Sequence, residues 1–281
     1  LQFVGVTALV KTLGTRIPAP EAAFIRYVLG LVFLLPVLGQ LRRLRPGKRV
    51  MALFGLRGLA HTLGVAFWFY AMARIPIADV TAMNYLAPIY VTLGAALFLG
   101  ERLALRRVLA IVVALIGALI ILRPGFRELG TGHLAMIFTA IFFGASYLTA
   151  KRLSQEVGPG LVVAMLSITV TIGLAPLAAM EWVWPTAWET LILFGVACLA
   201  TGGHFTMTLA FRAAPLAVTQ PVTFLQLVWA VALGALVFNE GVDPFVVLGG
   251  MVIVGSVSFI SWREAVLKGR AVTPPVSATK G

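Results

Sequence analysis

Polar side chains that could contact a solute recur within the apolar stretches of this 281-residue chain. His61 and Trp68 are seven residues apart and so lie on nearly one face of a helix. Thr81, Asn84 and Pro88 follow at spacings of three and four and form a stripe on the next predicted helix. Polar groups at membrane depth are costly and mark solute pathways. We therefore predict a pathway lined by His61, Trp68, Thr81, Asn84, Tyr85, Pro88, His204, Gln220, Thr223, Gln226 and Trp229.

The same residue types also have structural roles in membrane proteins. Thr and Asn form hydrogen bonds between packed helices, worth about 0.6 kcal/mol each, and a histidine or an aromatic side chain can serve packing. Pro88 and Pro221 each remove a backbone donor inside a predicted helix, which gives either a flexible break or a static kink. Packing therefore remains the alternative to solute contact for every candidate.

Few charged side chains fall within the apolar stretches. Arg26 could receive a substrate carboxylate, but a structural pair with Glu21 or Asp79 is the favoured interpretation. Arg57 is predicted to extend its charge to the inner membrane surface. Since no Asp or Glu falls near the predicted midplane, proton coupling would need a histidine or an outer carboxylate. Uncoupled efflux fits the sequence equally well.

The sequence contains none of the common catalytic patterns. Metal-ligand spacing of His, Cys and Asp, a phosphate loop and a G-x-S-x-G elbow are all missing from it. We therefore predict no enzyme, no catalytic residue, no metal and no cofactor. A membrane-embedded enzyme that uses His61 and His204, or a channel, remains an alternative.

Composition determines which elements hold these residues. Hydrophobic residues make up 60% of the chain and charged residues 11%, with mean hydropathy +1.00, which is typical of a membrane protein. Apolar stretches of about 20 residues can each cross the hydrocarbon core, and helices satisfy their own backbone groups there. The fold class predicted is an all-α membrane protein with ten transmembrane helices at 1–14, 19–41, 51–73, 77–99, 105–122, 132–150, 158–180, 188–211, 215–238 and 243–262.

The net charge of +12 indicates membrane orientation rather than nucleic acid. When the N-terminus is placed in the cytoplasm, fifteen of the 22 Lys and Arg residues fall in inner loops or the tail and four in outer loops. Both termini are thus predicted to be cytoplasmic. The partners predicted are the lipid bilayer and a small-molecule substrate, with no nucleic acid.

The chain also repeats itself. Pro76 and Glu101 recur as Pro215 and Glu240 at a spacing of 139, and upstream matches fall at 140. Five helices per copy would make the second copy enter the membrane from the opposite face, as in transporters built from inverted repeats. We predict a first repeat at 1–125 with a truncated first helix, a second, inverted repeat at 132–264, and a disordered cytoplasmic tail at 265–281. A duplicated scaffold without transport is the alternative.

The run from 85 to 122 resembles the fourth and fifth helices of the EamA family, in the drug/metabolite transporter superfamily. Its mid-helix Pro88, the Gly-Glu-Arg sequence at 100–102 and Gly117 in the following helix match the family pattern. The sequence is most similar to bacterial aromatic amino acid exporters within that family. The resemblance implies an alternating-access exporter of amino acids or similar small metabolites in the bacterial inner membrane. A drug or other metabolite carrier of the same fold is the alternative.

Overall fold

The computed structural model describes residues 2–13, 16–37, 39, 46–72, 74, 83–84, 86–100, 105–123, 130–223, 225–237 and 244–272. Within these ranges the regular elements are all helical. In chain order they are α1 (Gln2–Leu13), α2 (Ala19–Gly30, continued by a 3₁₀ segment Leu31–Val37), α3 (Lys48–Met72), α4 (Ala87–Leu99), α5 (Leu105–Leu122), α6 (Thr131–Glu156), α7 (Pro159–Met180), α8 (Ala187–Ala213), α9 (Leu216–Thr223), α10 (Leu225–Val237) and α11 (Pro244–Val272).

Described helices lie in each of the ten predicted segments, with α9 and α10 on either side of residue 224 in the ninth. Five helical segments are long and apolar enough to cross a membrane, namely Ala19–Val37, Lys48–Ala71, Thr131–Glu156, Pro159–Met180 and Ala187–Ala213. The all-helical class is confirmed for the described residues. A total of ten spans, with both termini cytoplasmic, stays a prediction.

Two helices extend further than predicted. Helix α6 continues to Glu156, so Lys151 lies inside the helix rather than at its end. Its Nζ donates hydrogen bonds to the carbonyls of Phe211 and Ala214, since carbonyls at a helix C-terminus lack intrahelical partners. Helix α11 runs through Val272 and covers the beginning of the segment predicted as disordered, because that stretch carries good helix formers such as Ala, Leu and Lys. Residues 273–281 lie outside the described residues.

The described helices meet at two ends of the bundle. At the first, Glu189 forms an ion pair with Arg16 and also accepts hydrogen bonds from Thr186, which caps α8. The hydrogen bond with Glu189 raises the pKa of Arg16. At the second, Glu156 lies within ion-pair distance of Arg49 at 3.4 Å and of Arg152 at 3.6 Å. We call these the Glu189 end and the Glu156 end.

Helices that are equivalent in the sequence repeat run antiparallel where they pack. Val37, at the end of the 3₁₀ segment after α2, lies beside Gly160 at the start of α7. Glu21, at the start of α2, accepts a hydrogen bond of 2.9 Å from the Val183 amide just beyond the end of α7. A repeat about an axis along the membrane normal would leave equivalent helices parallel. Their antiparallel packing is the arrangement that the predicted inverted repeat requires.

The last helices of the two copies show the same reversal. The Ser256 hydroxyl of α11 donates to the Ala110 carbonyl of α5 over 2.7 Å. Further along α5, a Cβ added to Gly117 would lie 2.8 Å from the carbonyl oxygen of Gly249. Because position 110 faces 256 and position 117 faces 249, α5 and α11 are antiparallel. Other contacts between the halves are related by the repeat in the same way. Helix α1 packs on α8, and their equivalents α6 and α3 pack on each other.

The surface of the bundle is strongly apolar. Leu97, Phe98 and Leu236 are among many large hydrophobic side chains that are mostly exposed. A soluble monomer rarely exposes such extensive apolar area, whereas lipid tails cover it without cost. The polar groups that matter for function must therefore be sought inside the bundle.

Candidate substrate site

Four of the long helices bring five polar side chains together inside the bundle. The central cluster consists of Tyr27 on α2, Arg57 and His61 on α3, Ser146 on α6 and His204 on α8, and all five are buried. His61 and Ser146 lie near the middle of their helices, well away from both ends of the bundle. His61 and His204, which were predicted to lie deep in the apolar region, are therefore found in the interior of the bundle.

His61 lies beside three other members of the cluster. Its ring centroid lies 5.4 Å from that of His204, with the two planes at 76°. Its Nδ1 is 3.1 Å from the Ser146 hydroxyl oxygen, a hydrogen bond whose direction depends on the imidazole tautomer. The Tyr27 ring lies edge-on at 6.4 Å. The two histidines predicted from separate halves of the chain thus form one site.

Aromatic rings enclose the two histidines. The Phe143 ring of α6 lies 5.1 Å from His61, and the Phe3 ring of α1 lies 5.3 Å from His204. Apolar rings exclude water and strengthen every polar interaction beside them. The site therefore combines an aromatic wall with a few polar groups, which is the usual composition of a small-molecule pocket.

Three members of the central cluster have buried polar atoms without a hydrogen-bond partner among the residues that the structure describes. These atoms are the Tyr27 hydroxyl, Arg57 Nε and His204 Nδ1. Buried polar groups are nearly always paired, and each exception needs a physical explanation. The three groups, on α2, α3 and α8, are explained together if a polar solute binds among them.

Arg57 departs from its predicted position. The side chain is 1% exposed, and its Nη1 donates a 2.7 Å hydrogen bond to the Val162 carbonyl of α7. The predicted extension to the inner surface is wrong because Arg57 lies one turn before His61 and so shares the inward-facing side of α3. Arg57 therefore places a positive charge in the interior.

Arg26 and Glu21 do not form the predicted structural pair. Five residues along a helix rotate a side chain by roughly 140°, so the two point in different directions. Glu21 accepts its hydrogen bond from the Val183 amide, whereas the Arg26 guanidinium lies over the Tyr27 ring, 4.0 Å from its centroid. Asp79, the other proposed partner, lies outside the described residues.

The other predicted pathway residues of the first half show no contact with the central cluster among the described side chains. Trp68 packs against Ala71 and Met136, beside the Glu189 end of α3. Asn84 is half-buried, and its side-chain oxygen has no hydrogen-bond partner. Pro88 falls in the first turn of α4, where a missing amide costs nothing. The predictions for Thr81 and Tyr85 fall outside the described residues.

The predicted residues of the ninth segment lie on α9 and α10. Gln220 belongs to α9, and Thr223 is its exposed last residue. On α10, Gln226 is half-buried and Trp229 is 50% exposed. Of the predicted residues whose side chains the structure describes, His61 and His204 lie together in the central cluster. A pathway through the others remains a prediction.

Sequence reasoning missed three members of the central cluster. Arg57 was interpreted from its position near a helix end, although its spacing of four from His61 already placed both on one face. Ser146 follows the polar Thr139 by seven residues, which places both on nearly one face of α6. Tyr27 carries no such signal, since its neighbour Arg26 is the more conspicuous residue.

A comparison with protein families decides the broad identity. A model described as the EamA-like transporter family matches residues 2–123 and 130–262. The chain belongs to the EamA-like transporter family. The resemblance found in the sequence is confirmed at this level, and the family is one of multi-pass membrane transporters rather than enzymes.

Several proteins that are similar to this chain over most of its length are named as transporters of different solutes. The chain is 27% identical to an S-adenosylmethionine uptake transporter of Rickettsia prowazekii, over 90% of this chain and 86% of that protein. It is 32% identical to a riboflavin transporter of Rhizobium johnstonii, with coverages of 90% and 84%. A pseudopaline exporter of Pseudomonas aeruginosa is 28% identical, with coverages of 90% and 89%. None of these three is named an aromatic amino acid exporter.

A solved structure shares the fold of this EamA-family chain. It superimposes with a TM-score of 0.78 over 97% of both chains at 18% sequence identity, and its description is simply the crystal structure of a protein. This likeness concerns the arrangement of helices alone. The substrate must be argued from the side chains.

Proposed function

We propose that this EamA-family protein is an alternating-access transporter whose substrate binds at the central cluster. The observation that carries the proposal is the contact between His61 and His204, on the equivalent helices α3 and α8. Transporters built from inverted repeats hold their substrate at the interface of the two copies, near the middle of the membrane. The buried, partly unpaired polar groups of the cluster lie at such an interface.

The packing between the halves suggests how access alternates. Helix α2 of the first half packs on α8 of the second. Their equivalents in the repeat, α7 and α3, also pack on each other. In an inverted repeat, exchanging the conformations of the two halves moves the opening from one side of the membrane to the other. The cluster is buried from both the Glu189 end and the Glu156 end, which corresponds to an occluded state of such a cycle.

We propose that the protein exports amino acids, and aromatic amino acids in particular. The support is the aromatic wall of Phe3 and Phe143 beside polar groups that can bind an amino acid backbone. The named relatives widen the test, since they include proteins for S-adenosylmethionine and riboflavin and both uptake and export. A carrier for such a metabolite is the alternative.

Counterflow in proteoliposomes tests this function. Vesicles preloaded with one unlabelled solute are given the same labelled solute outside, using tryptophan, phenylalanine, threonine, S-adenosylmethionine, riboflavin and a cationic drug in turn. We expect saturable accumulation of an aromatic amino acid, which a channel does not show. Accumulation of riboflavin or S-adenosylmethionine alone would replace the substrate class, and the absence of counterflow for every solute would contradict the function.

Cysteine labelling tests the proposed placement in a bacterial plasma membrane. Trp184 is 80% exposed near the Glu189 end, and Arg152 is exposed at the Glu156 end. In a Cys198→Ser background, a membrane-impermeant maleimide added to whole cells is expected to label Trp184→Cys. Arg152→Cys should react only after permeabilisation, because the excess of Lys and Arg places its end in the cytoplasm. The reverse labelling pattern would overturn the predicted orientation.

A further inference from the structure

Arg57 is a buried cation for which the described part of the chain supplies no ion-pair partner. Its side chain is 1% exposed, and the hydrogen bond from Nη1 goes to a neutral acceptor, the Val162 carbonyl. Nε is buried and has no partner. Among the residues that the structure describes, no carboxylate forms an ion pair with this guanidinium.

An unpaired charge at this depth requires a compensating interaction. Removing a charged group from water costs several kcal/mol even after relaxation, unless an opposite charge and hydrogen bonds offset it. Ionisable side chains inside membrane proteins therefore mark functional sites. Packing alone does not explain Arg57, since an apolar side chain of similar length would fill the same space without that cost.

The groups around Arg57 are also suited to an anion. The Tyr27 hydroxyl is buried and has no hydrogen-bond partner among the described residues, and the Arg26 guanidinium lies 4.0 Å from the centroid of the same ring. The Tyr27 ring lies 6.4 Å from the ring of His61, which follows Arg57 by one turn of α3. The polar side chains that converge here thus supply two positive charges and a hydroxyl donor.

We propose that Arg57 and Tyr27 bind a carboxylate group of the substrate, while the rings beside the two histidines hold its apolar part. A guanidinium donates two parallel hydrogen bonds to a carboxylate, and a phenol can add a third. The aromatic wall of Phe3 and Phe143 favours an aryl or other apolar body attached to that carboxylate. This inference rests on the proposed substrate site and names the group that the site recognises.

Thermal stability of the purified protein in detergent tests the inference. The probes are 3-phenylpropanoate and its neutral amide, 3-phenylpropanamide, which match in shape and differ in charge. A ligand that binds only the folded state raises the melting temperature with concentration. We expect the carboxylate to stabilise the wild type saturably and the amide to have no such effect. Equal stabilisation by both compounds, or by neither, would overturn the inference.

Substitutions of two arginines on α3 test whether the stabilisation by the carboxylate depends on Arg57. Arg57→Met should abolish stabilisation by the carboxylate, and Arg57→Lys should weaken the apparent affinity about tenfold because it loses the planar fork. Arg49→Met removes an exposed arginine near the Glu156 end of α3 and should respond like the wild type. Undiminished stabilisation in Arg57→Met would contradict the inference, as would equal stabilisation of the wild type by sulfate. Should Arg57→Met not fold, the comparison of acid with amide in the wild type still decides.

The counterflow panel separates this inference from the proposed function. Transport of solutes without regard to a carboxylate, such as riboflavin in preference to amino acids, contradicts the inference and leaves the transporter intact. Carboxylate-specific stabilisation without any counterflow supports an anion site and contradicts the transport proposal.

Discussion

Replacing His61 with leucine is expected to reduce counterflow by about tenfold or more while the protein still folds. A tenfold loss corresponds to about 1.4 kcal/mol, which is the scale of one hydrogen bond together with the desolvated partner that it leaves behind. His61 hydrogen-bonds to Ser146 at 3.1 Å and contacts the His204 ring, so leucine would leave the Ser146 hydroxyl without this partner. Initial rates of counterflow, normalised to protein in the vesicles, measure the effect.

The third histidine of the chain provides the matched control for this prediction. His133 lies in the first turn of α6, where its Nδ1 accepts a hydrogen bond from the Gly130 amide. His133→Leu removes the same side chain far from the central cluster and should retain counterflow. His61→Gln, which preserves a hydrogen-bonding group beside Ser146, should fall between the wild type and His61→Leu. A fully active His61→Leu would remove the central cluster from the transport pathway.

The sequence alone located the two histidines, and the repeat explains why. His204 lies 143 residues after His61, three more than the repeat spacing of 140, so the two occupy nearly equivalent turns of α3 and α8. An inverted repeat brings equivalent positions of its two copies towards a common axis. Polar residues in strongly apolar helices, combined with an internal register, were therefore sufficient to predict this pair.

The direction in which a side chain points was harder to predict than its helix. Membrane helices in this chain have apolar residues on all sides, so periodicity does not distinguish the face towards lipid from the face towards a neighbouring helix. Arg57 was predicted to reach water but faces α7. Trp229 is half-exposed on α10, and its place in the pathway stays a prediction. Both outcomes depend on which helices are neighbours, and that information lies in tertiary packing.

The family resemblance, in contrast, identified the family but not the solute. Motifs at Pro88, Gly100 and Gly117 were enough to identify the family, and proline and glycine act on backbone geometry rather than on a bound solute. Gly100 ends α4 with a positive φ of 67°, a conformation that glycine adopts without steric cost. Residues of this kind carry no information about the solute, which explains why the narrower assignment to aromatic amino acids stays a proposal.

Gly117→Val is expected to prevent stable folding, the largest effect on stability predicted for this chain. The first added carbon would lie 2.8 Å from the Gly249 carbonyl oxygen and 2.9 Å from Ile253 Cγ1, so α5 and α11 would have to move apart. Overpacking a tight contact costs about 1–3 kcal/mol or more when backbone must shift, and helices in membranes depend on such close approach of small residues. Yield of monodisperse protein and the melting temperature in detergent measure the loss.

Helix α11 itself supplies the control that makes this result interpretable. A Cβ at Gly255 meets nothing within 4 Å, so Gly255→Val adds the same side chain to the same helix pair without a clash. We expect Gly255→Val to resemble the wild type and Gly117→Ala to be intermediate between the wild type and Gly117→Val. Because α5 and α11 are the equivalent last helices of the two copies, loss of this contact should open one of the interfaces between the halves and so lower transport together with stability. Equal stability of Gly117→Val and Gly255→Val would show that the α5–α11 contact accommodates the added side chain.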